Sequence, residues 1–352
     1  MNTVKVAIVG AGNISNTRHI PGLRHVKSAD IVGVLSNKAE RAENTARKHN
    51  IDNFAVINDK LKDGGLGKLD WFAGIDAVVI GAPPTQHYAL VKLALTHDKH
   101  VLIEKPMMMD QHECDELIEL AKKKNKIFYV MHNFQYAHKM IKLNEIIESK
   151  RYGEICNITE TQFTNHDRRL PEWYNDLPMG LFYDEAAHFM YLLENHAGKL
   201  KINNSYAVYD KDKKANTPNT LTVSATAGNV PVTMLLNFKS AVCEWHYIVS
   251  FEKRILIYDF FKDILIDLPS DNEHRAADIL KNSLSFSWQY WTQFIGNGFR
   301  MLRRDLLYGH DIVLGKFISA VETGGVDDKL VAESGRTNVN SINEIIDKAN
   351  KR

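Results

Sequence analysis

Cysteine is nearly missing from this chain: Cys114, Cys156 and Cys243 are the only three in 352 residues, far apart and without a CxxC pair. That argues against a disulfide framework or a cysteine-rich metal site, and it suits a reducing compartment. Charge of one sign is lacking too, since 44 Lys and Arg stand against 43 Asp and Glu for a net charge of +1. With no basic field, neither nucleic acid nor anionic lipid is an expected partner. No apolar run approaches the roughly 18 residues of a membrane span. The start, Met1 to Gly10, reads directly as a strand with no charged segment ahead of an apolar one, so a cytoplasmic location is expected. Internal repeats and low-complexity linkers are absent as well. What is left is ordinary globular composition, 44% apolar and 25% charged, over a length that suits two domains.

The first third alternates strand and helix as a doubly wound sheet requires. Val4-Lys5-Val6-Ala7-Ile8-Val9 reads as a strand, and Gly10-Ala11-Gly12-Asn13-Ile14-Ser15 follows at once into a helix. Gly10 permits a tight turn, and Gly12 lets a pyrophosphate approach a helix N-terminus, where free N–H groups favour anions. Ser15 stands where a third glycine is usual. The second strand, Ile31 to Leu35, ends at Ser36-Asn37-Lys38, where an NAD site would place an acid for the ribose 2′-hydroxyl. That acid is missing. Ser36 and Asn37 can donate to a 2′-phosphate, and Lys38 and Arg41 supply positive charge, so NADP is the expected cofactor, with NAD as the alternative. A solvated turn is the plain alternative for the same residues.

Ala77-Val78-Val79-Ile80 is another buried strand, followed by Gly81-Ala82-Pro83-Pro84-Thr85-Gln86-His87 and a helix. A rigid Pro-Pro turn before a helix suggests a loop over the cofactor, with Ala82, Pro83, Thr85 and His87 in contact with it. His100-Val101-Leu102-Ile103-Glu104-Lys105-Pro106 is an apolar run ending in an acid, a base and a proline. Ligands of open α/β sheets bind outside the carboxyl ends of such strands, which is where Lys105 falls. A helix over 111–124 and a strand over 127–131 complete the first domain. Beyond 139 comes a helix to about 150, then period-2 runs at 154–163, 220–226, 231–238, 246–252 and 254–267, which predict a large, mostly antiparallel sheet with one covered face. Helices are expected again over 310–323 and 333–350. Phe286, Trp288, Tyr290, Trp291 and Phe294 form an aromatic cluster, read as core or subunit interface, and Arg300, Arg303 and Arg304 form a basic helix face.

Asp184 and His188 lie four apart, on one face if the segment is helical. An imidazole is suited to taking a hydroxyl proton near neutral pH, and a carboxylate can orient it. Such a pair is more often structural when nothing else is known of it. No third His or carboxylate stands at a metal-ligand spacing, so no metal is expected.

Together these residues resemble the glucose-fructose oxidoreductase / inositol dehydrogenase (Gfo/Idh/MocA) family. The resemblance is carried by Gly10 to Ile14, by Ala82-Pro83-Pro84-Thr85-Gln86-His87, by Glu104-Lys105-Pro106, and by Asp184 with His188 in the place of the family's Asp-x3-His. It implies an α/β chain: an N-terminal Rossmann dinucleotide-binding domain, taken as 1–132, and a C-terminal α+β domain with a large, mostly antiparallel open sheet, taken as 133–352. The last helix is expected to pack back on the first domain. It further implies NAD(P)-linked hydride transfer at a hydroxyl or keto carbon of a sugar, polyol or sugar nucleotide. Lys105 and His188 are then catalytic with Asp184 assisting, Glu104 and Lys105 border the cofactor, and Asn133, Arg168 and Trp173 join Lys105, Asp184 and His188 around the substrate. Departures are Ser15, Ala186 where Gly is usual, and Tyr191 where Asp is common. A homo-dimer or homo-tetramer is expected through the one-sided strands at 220–238 and 246–267. A dinucleotide-binding redox sensor without turnover is the rival reading, since a Rossmann domain does not fix function.

Overall fold

The computed structural model describes residues 3–57, 66–210, 216–303 and 305–350, which leaves Arg304 outside the described residues. They fall into two compact units, one made of Met1–Asn133 with Gly309–Asn340 and the other of Phe134–Tyr308 with Ser341–Arg352.

In the first unit the strands are β1 (Val4–Val9), β2 (Ala29–Ser36), β3 (Asn53–Val56), β4 (Ala77–Ile80), β5 (His100–Ile103) and β6 (Phe128–Val130). All pair in parallel, in the order β3-β2-β1-β4-β5-β6. The central strands are apolar on both faces, and Val6, Ala7, Ile8, Val78, Val101 and Leu102 are fully buried, as helices on both sides of a parallel sheet demand. Those helices are α1 (Ile20–Arg24), α2 (Ala39–Lys48), α3 (Asp70–Ala73), α4 (His87–Thr96) and α5 (Gln111–Lys124). Helix α5 shows why the ends fall where they do. The Asp110 carboxylate accepts from the N–H groups of His112 and Glu113, and Asn125 closes the helix at φ 51°.

The second unit holds α6 (His138–Glu148), β7 (Ile155–Asn165), α7 (Leu181–Ala197), β8 (Leu200–Val208), β9 (Thr220–Ala227), β10 (Val230–Ser240), β11 (Glu244–Phe251), β12 (Arg254–Asp259), β13 (Ile264–Pro269) and α8 (Ala276–Leu302). Its sheet runs β13-β12-β11-β7-β10-β9-β8. β7 and β10 are parallel and every other pair is antiparallel. Burial alternates as the period-2 pattern requires, with Leu221, Val223 and Ala225 buried while Thr222 and Ser224 are exposed. The chain then closes with α9 (His310–Thr323), which belongs to the first unit, and α10 (Ala332–Asn350), which the division cuts after Asn340. Leu330 O accepts from the Val130 N–H at 2.8 Å, and Val331 bridges Tyr129 in antiparallel fashion.

Three elements differ from the sequence reading. The run 254–267 is two strands, because Phe260 to Asp263 turns the chain, with Asp263 at φ 49°. β8 has no apolar-polar alternation strong enough to mark it; three of its nine residues are buried. The aromatic cluster and the arginines that follow lie on one 27-residue helix, α8, whose large apolar side chains are mostly exposed.

Candidate functional site

In the first unit the site is built at the carboxyl ends of four neighbouring strands. At the end of β1, Gly10 has φ +100° and donates its N–H to Leu35 O at 2.7 Å. A Cβ there would lie 2.5 Å from Gly81 O, so only glycine fits this turn. Ser15, the departure from the third glycine, donates its hydroxyl to Gly10 O at 2.6 Å and latches the turn from the helix side. The helix opens at Asn13, is wound as a π-helix over Ser15–His19 and continues as α1. Asn16 donates its N–H to Gly12 O at 3.2 Å and its side-chain amide to the same oxygen at 2.9 Å. The N–H groups of Asn13, Ile14 and Ser15 precede the first intrahelical donor, the Asn16 N–H, and are turned towards an anion. A Cβ on Gly12 would meet only Gly81 O, at 4.0 Å, so that side of the turn is open to a pyrophosphate. These features fit a dinucleotide. At the end of β2, Ser36 is buried while Asn37, Lys38 and Arg41 are exposed, and no acid stands before Glu40.

The loop after β4 carries Ala82 and Pro83 into the short turn Pro84–Gln86, with Thr85 exposed. His87 is fully buried. Its Nε2 lies 2.9 Å from Ala82 O, and its Nδ1 lies 2.9 Å from Pro106 O and 3.1 Å from Met107 O. The ring therefore ties the loop after β4 to the turn after β5, and burial pulls its pKa down against the carbonyls.

Beyond β5, Glu104 is buried and Lys105 half-buried, with a cis Lys105–Pro106 peptide bond. The Glu104 Oε1 is 2.7 Å from His19 Nε2 and 3.7 Å from His310 Nε2, and its Oε2 accepts the Lys105 N–H at 3.2 Å. Burial alone would raise the Glu104 pKa. The His19 hydrogen bond and the charges of His19, His310 and Lys105 outweigh it and hold the carboxyl down at about 2. Lys105 is thus seated beside a permanent carboxylate.

In the second unit, α7 carries Asp184, Glu185 and His188, all buried. It starts at Gly180, φ +58°, where a Cβ would strike the Thr217 hydroxyl that accepts the Leu181 N–H. His188 Nδ1 lies 2.8 Å from the Tyr191 hydroxyl, which also accepts the Phe134 N–H at 3.1 Å. The ring is wedged against Phe134 and Trp245, with centroids 4.8 and 5.5 Å away. An Nδ1–H that donates to Tyr191 makes Nε2 the ring nitrogen with the lone pair that accepts a proton. Asp184 Oδ2 accepts from the Tyr174 hydroxyl at 3.3 Å, and the Tyr174 and Trp173 rings lie 4.0 Å apart. Arg168 Nη1 donates to Glu185 Oε1 at 2.9 Å while Gln162 donates to the other oxygen.

Gly10, Gly12, Asn13, Ile14, Ser36, Asn37, Ala82, Pro83, Glu104 and Lys105 thus share the carboxyl ends of β2, β1, β4 and β5 in the first unit, and buried Asn133 ends that unit's first segment. Arg168, Trp173, Asp184 and His188 belong to the second. Sequence reasoning did not name His19, His310, Tyr174 or Glu185 for the site, and it noted Tyr191 only as a departure. Among the described residues one group has metal-ligand composition, Glu244 with His246 and Asp259. Lys262 Nζ lies 2.9 Å from Glu244 Oε2 and 2.6 Å from Asp259 Oδ2, so the chain supplies its own cation there. No helix among the described residues is long and apolar enough to cross a membrane.

Residues 4–132 match the family model described as the oxidoreductase family with NAD-binding Rossmann fold, Gfo/Idh/MocA. An uncharacterized oxidoreductase of Schizosaccharomyces pombe is 31% identical over 201 residues, 54% of this chain and 50% of that protein. The chain spans about half the length of the curated relatives it matches. Among solved structures, UDP-N-acetylglucosamine 3-dehydrogenase GnnA of Acidithiobacillus ferrooxidans has a TM-score of 0.72 at 16% identity, covering 98% of this chain and 97% of that one. KijD10, a 3-ketoreductase of Actinomadura kijaniata solved with NADP and TDP-benzene, has a TM-score of 0.74 at 14% identity, covering 99% and 98%. At those identities the likeness is one of fold, a parallel Rossmann sheet followed by a mixed, mostly antiparallel one. Residues 4–132 are therefore an NAD-binding Rossmann domain of the Gfo/Idh/MocA oxidoreductase type.

Proposed function

We propose that the protein is an NAD(P)-dependent oxidoreductase that moves a hydride between the nicotinamide and a hydroxyl or keto carbon of a sugar, polyol or sugar nucleotide. The reading is carried by the seat of Lys105, at the end of a Rossmann strand and next to a carboxylate held ionised by His19 and His310. The glycine turn and helix N-terminus of the first unit hold the pyrophosphate, and Ser36, Asn37, Lys38 and Arg41 favour the 2′-phosphate of NADP. The bound nicotinamide supplies or accepts the hydride. In oxidation Lys105 stabilises the developing alkoxide and His188 takes the hydroxyl proton on Nε2. Reduction reverses both roles. Asp184, Arg168, Trp173 and Asn133 offer polar and ring contacts to a polyhydroxylated ligand. The sugar-nucleotide option is supported by two relatives of the same fold, one named for UDP-N-acetylglucosamine and one solved with TDP-benzene. We also propose that the protein works as a homo-oligomer, in the cytoplasm.

The test is a dehydrogenase screen with both cofactors over free sugars, polyols and nucleotide sugars, read at the reduced-nicotinamide absorbance. Turnover with any of them, at NADP affinity equal to or better than NAD, is the expected result. Dinucleotide binding with no turnover on any of the three classes would move the protein to the redox-sensor reading.

A further inference from the structure

Helix α8 is built inside out. At 1.5 Å per residue its 27 residues span about 40 Å, and the side turned to its own unit is polar. Gln293 exchanges two hydrogen bonds with the backbone of Leu265, donating at 2.8 Å and accepting at 3.0 Å, and Gln289 does the same with Asp267 at 3.0 and 2.9 Å. Asn297 donates to Lys262 O at 2.7 Å and to Asp263 O at 2.8 Å. Side-chain amides thereby satisfy the backbone of edge strand β13, which would otherwise offer unpaired groups to another strand. An ordinary surface helix turns its apolar stripe inward and its polar face out; this one does the reverse.

The outward side carries Leu280, Leu284, Trp288, Trp291, Ile295 and Phe299, and the pattern closes at Leu302, with exposures between 55% and 82%. The steps of 4, 4, 3, 4, 4 and 3 make an eleven-residue repeat, 3.67 residues per turn. That is so near the helical period that the stripe runs almost straight along the axis. At such exposures each Leu, Phe or Trp leaves on the order of 100 Å² in water, so the stripe presents roughly 800 Å². A lone chain seldom shows more than a few hundred, whereas about 800 Å² is one partner's share of a standard interface.

Three further details say what covers it. Gly296 and Gly298 stand inside the helix, and beyond the helix's own nearby backbone no atom of the described residues lies within 4 Å of a Cβ built there. Each costs about 1 kcal/mol of helix propensity that nothing in the protomer's own packing calls for, and Gly298 lies beside the stripe, where it lets a second backbone approach. The flanks carry Ser283, Ser287 and Thr292, whose hydroxyls donate to the carbonyls of Ile279, Ser283 and Trp288 at 2.8, 3.0 and 2.8 Å. They are satisfied in advance for burial against protein, and they stand where a membrane-surface helix would carry Lys and Arg for lipid headgroups. Charge differs modestly between the ends: Asp271, Glu273 and Asp278 outnumber Arg275 and Lys281 in and before the first turns of α8, while Arg300 in its last turn and Arg303 at its C-cap are basic. Antiparallel pairing about a two-fold axis brings unlike ends and opposed helix dipoles together.

We infer that α8 is a self-association helix that packs antiparallel against α8 of a second copy of this chain, on a surface separate from the sheet face at 220–238 and 246–267. The inference does not depend on which substrate is turned over. Sedimentation and light scattering at micromolar concentration test it. The wild type should be an even-numbered oligomer, and W288E/W291E should halve its mass with far-ultraviolet circular dichroism unchanged. Should the double variant misfold, Gly298→Leu serves. It fills space that is open in the protomer, so the fold stays intact and its thermal midpoint holds or rises, while the paired helices are wedged apart and the mass halves. A monomeric wild type overturns the inference, as does an oligomer that neither variant disturbs. Binding of wild-type monomer to phosphatidylserine vesicles, lost in W288E/W291E, would give α8 to a membrane surface instead.

Discussion

Glu104 in the first unit and Glu160 in the second are both shut away from water, yet their carboxyl groups are pushed in opposite directions. Around Glu104 the chain gathers His19, His310 and Lys105, and the carboxyl stays ionised down to about pH 2. Glu160 has neither oxygen hydrogen-bonded among the described residues, and burial pushes its pKa well above the usual carboxylate range. Glu194, also in the second unit, is raised to about 7 by burial, with the Ser341 hydroxyl at 2.9 Å drawing it only partly back. Burial alone neutralises an acid. A buried charge therefore marks a place where basic groups were put for a reason, and in this chain that place adjoins Lys105.

The comparison is broken most severely by deleting the group each unit contributes to the proposed chemistry. Lys105→Ala and His188→Ala should each lower kcat on the true substrate by about 10²–10⁴-fold, with cofactor affinity, measured by fluorescence titration, largely kept. Lys105→Arg keeps the charge as a larger planar group and should rescue only in part. Near wild-type turnover in His188→Ala with an unchanged pH profile would remove His188 from the proton-transfer role.

Glu104→Gln is next. The folded pKa of about 2 lies below the ordinary 4.5, so the carboxylate stabilises the fold fully above pH 4.5 and loses that contribution as pH falls from 4.5 to 2. The variant should be less stable than wild type by about 3 kcal/mol at pH 7, measured by urea unfolding, and the gap should close near pH 2. Glu194→Gln carries the opposite sign. Here the folded pKa of about 7 lies above 4.5, so ionisation costs stability increasingly from pH 4.5 to 7. The variant should be more stable at pH 8 by no more than about 3 kcal/mol, since part of the group meets solvent, and equal to wild type at pH 4. A gap of the same sign for both variants would end the contrast between the two acids.

Much of the first unit is legible in its sequence because its signals are local. A continuous apolar run names a strand buried on both faces, and Gly10 with Gly12 names the turn after it. What stayed hidden there comes from afar: His19 and His310 reach Glu104 from opposite ends of the chain, and no spacing announces that. In the second unit the i,i+4 rule places Asp184 and His188 on one helix, yet it cannot say that Tyr174 meets Asp184 or that Arg168 meets Glu185. Helix α8 escaped for another reason. An apolar stripe at helical spacing ordinarily means core, and only its neighbours Gln289, Gln293 and Asn297, taken up by the edge of β13, show that the stripe faces out.

The smallest expected effect, and the sharpest test of how the second unit prepares its base, is at Tyr191. Its hydroxyl accepts the Phe134 N–H and lies against His188 Nδ1, so Tyr191→Phe removes one hydrogen-bonded atom and keeps the buried ring. Once His188 has taken a proton on Nε2, its Nδ1–H loses the oxygen it donates to, and the charged form is disfavoured by the worth of one such bond, about 1–2 kcal/mol. The expected outcome is a roughly tenfold fall in kcat, KM little changed, and the acid limb of the kcat/KM profile moved to lower pH, because a less basic imidazole holds its proton less well. Tyr191 is then a positioning residue acting through His188. A variant that lost stability while keeping the wild-type pH limb would leave the hydroxyl with the Phe134 N–H alone, as a clamp on the turn where the second unit begins.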